Sequence, residues 1–86
     1  YMEDLKLQIK QQIIEALNLE DITPDDIDST APLFGGGLGL DSIDVLELIM
    51  LMEKYYGIKF SDPSIGRQVF QSIDVMADYI VKNRTK

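Results

Sequence analysis

The hydrophobic positions fall into helical runs separated by stretches in which the helical period is lost. Leu5, Ile9, Ile13 and Leu17 recur every four residues, Ile14 widens the stripe, and Lys6, Lys10, Gln11 and Glu15 fall outside it. That spacing predicts a first helix over residues 3–17. From 18 to 40 the period disappears, and Thr23-Pro24-Asp25, Pro32 and Gly35-Gly36-Gly37-Leu38-Gly39 all oppose a helix. So long a loop in a small domain is commonly functional. Ile22, Ile27, Leu33, Phe34 and Leu38 are spaced along it and read as pegs into the core, with one helical turn after Pro24. Residues 42–56 carry the clearest helix. Asp41 is a good N-cap, Asp44 stands three residues on as its capping-box partner, and Gly57 ends the run. Ile43, Val45, Leu46, Leu48, Ile49, Met50, Leu51, Met52, Tyr55 and Tyr56 leave it apolar nearly all round. Such a helix is central to its bundle or meets a partner as well.

Beyond Gly57, Ile58-Lys59-Phe60 reads as a linker, and Pro63 suits a first helical position. A short helix is expected over 64–70. Ser72 is an N-cap for a last helix over 73–83, with Ile73, Met76, Ala77 and Ile80 on one face. Period-2 alternation is nearly absent, so no sheet is expected. The expected fold is all-α: a small four-helix bundle of three main helices and one short one, with a long first loop. Its 86 residues make one domain, 1–86, with a frayed tail over 83–86; Tyr1, ahead of Met2, carries no weight.

Composition narrows the chemistry. The chain has no cysteine and no histidine. It therefore lacks thiolate ligands, the commonest general base and the usual partner of a nucleophilic serine. No metal site is expected. Net charge is −7. Between Lys10 and Lys54 lie ten acids and no base: Glu15, Glu20, Asp21, Asp25, Asp26, Asp28, Asp41, Asp44, Glu47 and Glu53. Such a field repels nucleic acid and anionic membranes and attracts basic protein surfaces, although acids also simply keep a small domain in solution. No apolar run is long enough to span a bilayer and no leader is recognisable, so a cytoplasmic monomer without stable membrane insertion is the expectation.

The junction Gly39-Leu40-Asp41-Ser42-Ile43-Asp44 runs from a glycine-rich loop into a helix. Ser42 should fall at the first helical residue with its hydroxyl outward. A phosphate attached there should lie beside free backbone amides and the positive end of the helix dipole. A phosphoserine-type ester suits the position. An activated nucleophile does not, because no base is at hand. A hydrolase elbow needs glycines flanking Ser42, and they are absent. Gly35-x-Gly37 follows no strand and lacks the P-loop lysine, and Asp26 and Asp28 lack the rest of a calcium loop.

Asp41-Ser42-Ile43 resembles the Asp-Ser-Leu motif of the acyl carrier protein family, and Asp44 to Glu53 is similar to that family's second helix position by position. Leu33 and Leu40 match its loop before the motif, and Ile73 to Ile80 resembles its final helix. The resemblance implies a non-enzymatic carrier, a cosubstrate of acyl-transferring enzymes. A phosphopantetheinyl transferase would attach 4′-phosphopantetheine from coenzyme A to Ser42, with Asp41 positioning the transferase and its metal. Asp44, Glu47 and Glu53 would face basic patches on acyl-transferring and ketosynthase-type partners, with Ile43, Leu46 and Met50 as apolar contacts. The cargo would be acyl intermediates of fatty-acid or polyketide-like (aryl-polyene-type) synthesis, sheltered in the bundle near Leu46, Met50 or Ile73. D-alanyl or peptidyl carriage and an acidic helical adaptor without a prosthetic group are the alternatives. The triple glycine, Lys54-Tyr55-Tyr56 and the longer stretch from Ser61 to Gln71 depart from the commonest fatty-acid carriers. They leave the pathway open.

Overall fold

Four helices and one 3₁₀ turn follow one another in the computed structural model, which describes residues 1–34 and 39–86. They are α1 (Met2–Ala16), the 3₁₀ turn (Pro24–Asp26), α2 (Ser42–Tyr56), α3 (Pro63–Val69) and α4 (Ile73–Asn83). Gly35-Gly36-Gly37 and the peg expected at Leu38 lie outside the described residues. Among the described residues there is no strand. An isolated bridge joins Phe34 to Leu40, the two ends of the glycine-rich segment. The all-α expectation and the helix boundaries agree with the structure to within about two residues.

Each boundary has a local cause. The α1 stripe buries Leu5, Ile9 and Ile13. The helix closes where Asn18 takes a positive φ of 56° and Leu19 N–H donates back to Ile14 O at 2.9 Å. Asn is one of the few side chains that tolerates that conformation. At the end of α2, Gly57 sits at φ 65° and Ile58 N–H reaches Met52 O at 3.2 Å, closing the last turn. Ser72 Oγ accepts from Val75 N–H at 3.2 Å and starts α4.

α1 packs on α4 and α2, while α3 bridges α2 and α4. The core they enclose includes Ile9 and Ile13 of α1, Leu48 and Met52 of α2, and Ile73, Met76 and Ile80 of α4, all essentially without exposure. Burial of these apolar side chains, not helix propensity, is what holds such short helices. The long first loop is pinned as its pegs suggested: Ile27 and Leu33 are buried, and Ile22 and Phe34 pack half-buried on the core. Backbone bonds add to the pinning, Leu33 N–H to Gln71 O and Asp74 N–H to Ser29 O, both at 3.0 Å.

The tail over 83–86, expected to fray, begins with Asn83 at the end of α4 and continues along the end of α2. Thr85 N–H donates to Tyr56 O at 2.9 Å and Thr85 Oγ1 to Gly57 O at 2.8 Å. They satisfy carbonyls that the end of a helix otherwise leaves to water.

Candidate functional site

Ser42 is the first residue of α2 and is exposed. The helix start around it is fully built. Asp41 Oδ1 accepts from Ile43 N–H at 3.0 Å and from Asp44 N–H at 3.2 Å. In return Asp44 Oδ2 accepts from Asp41 N–H at 3.0 Å, completing a capping box. This corrects one expectation. The amides of Ile43 and Asp44 are not free for a phosphate, because the Asp41 carboxylate already holds them. The two capping carboxylates also offset the positive end of the helix dipole.

The positive charge at this site comes from another helix. Arg67 of α3 donates from Nη2 to Ser42 Oγ at 2.9 Å, across 25 positions in sequence. Sequence reasoning did not find this residue. Its signal was weak: a lone base between Lys59 and Lys82, next to a glycine in a short helix. A guanidinium beside that hydroxyl favours an anion attached to its oxygen. Asp62 sets the short helix, accepting from Ser64 N–H at 3.0 Å; that bond holds its carboxyl below the ordinary carboxylate value. Gly66 lets α3 approach α2 closely. A Cβ added there would stand 3.2 Å from Phe70 Cε2 and 3.4 Å from Ile49 Cδ1.

Ser42 and Arg67 line an open cleft of about 270 Å³ with Phe34, Leu40, Asp41 and Val45. Phe34, Leu40 and Val45 supply its apolar lining, and Asp41, Ser42 and Arg67 its polar lining. The remaining residues singled out from sequence share the outer face of α2. Ile43, Leu46 and Met50 are 71%, 54% and 63% exposed, and Glu47 and Glu53 are exposed beside them. Asp44 is half-buried in the capping box. Positions three and four apart are neighbours on a helix, so these residues make one mixed apolar and acidic stripe. Leu46 and Met50 therefore do not face the interior. Of the three residues expected near a sheltered chain, only Ile73 is buried. No group of three or more acidic side chains capable of holding a metal ion occurs among the described residues.

The geometry defines a small helical domain that presents a serine hydroxyl at a helix start, flanked by a cation and an apolar cleft. The family model for the phosphopantetheine attachment site matches residues 8–80. An acyl carrier protein of Zymomonas mobilis is 36% identical over 66 residues, 77% of this chain and 80% of its own length. One from onion yellows phytoplasma is 44% identical over 50 residues, 58% of this chain and 63% of its own. The mitochondrial acyl carrier protein 2 of Arabidopsis thaliana is 28% identical over 79 residues, 91% of this chain and 60% of its own. The chain thus spans less than two thirds of the last two relatives. The chain belongs to the acyl carrier protein family, and its prosthetic group is 4′-phosphopantetheine. Its residues fit that group, since an exposed hydroxyl, a neighbouring guanidinium and an open cleft are what a phosphate ester with an apolar tether requires. Members of this family carry; they are not catalysts. No helix among the described residues is long and apolar enough to cross a membrane.

Proposed function

We propose that Ser42 is the attachment residue and that the chain, as a single carrier domain over residues 1–86, delivers acyl intermediates in fatty-acid or polyketide-like synthesis. The observation that carries this reading is the exposed Ser42 hydroxyl at the first residue of α2, held 2.9 Å from Arg67 Nη2. When bound, the group supplies a terminal thiol that holds an acyl chain as a thioester, a function no side chain of the cysteine-free sequence can supply. In loading, Ser42 Oγ attacks the pantetheine-side phosphorus of coenzyme A. The new P–O bond forms as the pyrophosphate bond breaks, and adenosine 3′,5′-bisphosphate leaves. The hydroxyl proton goes to a base on the transferase. This chain has no histidine to take it.

The partners are a phosphopantetheinyl transferase and acyl-transferring enzymes with basic patches. They dock on Ile43, Asp44, Leu46, Glu47, Met50 and Glu53. The exposure of three large apolar side chains in a field of acids supports this, because a solvated helix face has no use for them. Asp41 fixes the hydroxyl by capping α2, and its second carboxylate oxygen lies outside the capping bonds, available to the transferase and its metal.

Incubation with coenzyme A and a broad-range phosphopantetheinyl transferase tests the assignment. Intact-mass spectrometry should show one added phosphopantetheine on the native chain and none on Ser42→Ala. A gain of mass by Ser42→Ala would place the attachment elsewhere and end this reading.

A further inference from the structure

We propose that Arg67 holds the phosphate of the prosthetic group and so fixes the root of the tether against α3. The inference rests on Ser42 being the attachment residue and goes beyond it, because it assigns the counter-charge to a residue of a different helix.

A phosphodiester on Ser42 adds a permanent negative charge between Asp41 and Asp44, in a chain of net charge −7. Two of the amides that usually compensate such a charge at a helix start are already taken, since Asp41 accepts from Ile43 and Asp44. Arg67 is the cation within reach. Its Nη2 touches Ser42 Oγ, and among the described residues it pairs with no carboxylate. Esterification turns Oγ into a bridging oxygen, a poor acceptor. The non-bridging oxygens lie two bonds from Oγ, so the same guanidinium meets them with little displacement. Its planar fork of donors suits two phosphate oxygens at once. Gly66 and the Asp62 cap set the position of α3, so Arg67 arrives from a built element and not from a loose loop.

The test is a cycle of four species: native and Arg67→Gln chains, each before and after loading, followed by intact mass, melting temperature and the ³¹P resonance. Both chains should gain the group. Loading should change Tm more favourably in the native chain by about 2–5 °C, a difference that shrinks at high salt. The ³¹P shift of the loaded Arg67→Gln chain should move toward that of a free phosphodiester, and Arg67→Lys should fall between the two. Equal Tm changes and equal ³¹P shifts would overturn the assignment to Arg67 while the mass gain leaves Ser42 standing. No mass gain on the native chain overturns both. Should Arg67→Gln resist the transferase, phosphoserine installed at position 42 during translation replaces loading, with Tm compared as before and the ³¹P shift judged against that of a free phosphomonoester.

Discussion

Tyr56 and Gln12 show what a single polar contact does inside so small a core. The Tyr56 hydroxyl donates to Gln12 Oε1 at 2.6 Å, joining the last turn of α2 to the C-terminal half of α1. Both residues are buried, so the bond replaces water that neither group can reach. Burial pushes the Tyr56 phenol above its ordinary value. A group raised in the folded state contributes fully below its unfolded value, about pH 10, and its contribution fades as pH rises through the folded one. Tyr56→Phe keeps the ring and leaves the Gln12 carbonyl without its donor. That should cost about 1–3 kcal/mol in urea unfolding at neutral pH, with an unchanged slope. A change inside experimental error would mean that Gln12 finds another donor. Exposed carboxylates behave in the opposite sense. The bonds from Thr23, Thr30 and Ser64 hold Asp26, Asp28 and Asp62 below the ordinary carboxylate value. Their contribution is present above about pH 4 and lost as pH falls through the lowered values.

Among the elements, α3 is the one whose placement matters most for the site, and Gly66 is the reason it can take that place. The glycine is buried against Phe70 and Ile49, so even a Cβ there requires the Phe70 ring to give way slightly, and a larger side chain requires more. Gly66→Val should push α3 off α2, cost about 1–3 kcal/mol by overpacking, and separate Arg67 from Ser42. Thermal unfolding reads the first effect. Loss of the native Arg67 Nε–Hε shift in an NMR spectrum reads the second, and a native-like Tm and spectrum would show that α3 does not depend on this close approach. The same element marks the limit of what the chain displays as a string. Asp41, Asp44 and Gly57 make the ends of α2 readable, because caps are chemistry between residues at most a few positions apart. The pegs Ile27 and Leu33 were readable as isolated apolar residues in a polar loop. The Arg67–Ser42 contact was not, since it depends on how closely two helices approach and no local periodicity encodes that distance. The outward aim of Leu46 and Met50 was hidden for a related reason. A helix apolar on nearly every side does not say which side its neighbours cover, and here α1 and α3 leave that stripe bare.

For the whole molecule, the distribution of charge makes opposite demands on stability and on docking. The ion pairs among the described residues join Lys6 to Glu3 and Asp74, at 3.7 and 2.9 Å, and Lys82 to Asp78 at 3.0 Å. None reaches the ten acids between Lys10 and Lys54. Those acids repel one another in the folded chain and are spread apart in the unfolded one, so folding works against their field. Screening relieves that cost. Raising ionic strength from roughly 0.02 to 0.3 M shortens the Debye length to well under the width of the molecule, and Tm should rise by about 2–5 °C. The encounter with a basic partner runs the other way, because the same field that strains the fold draws the partner in. Over the same salt range kcat/KM for loading by the transferase should fall, through slower association. Glu47→Lys separates the two demands. It removes an exposed acid from the docking stripe and inserts a base among the repelling acids. It should therefore hold or raise Tm at low salt while lowering kcat/KM and flattening its salt dependence. A Glu47→Lys chain loaded as fast as the native one, with the same salt slope, would detach the stripe on α2 from partner recognition and leave its exposed Ile43, Leu46 and Met50 without a purpose.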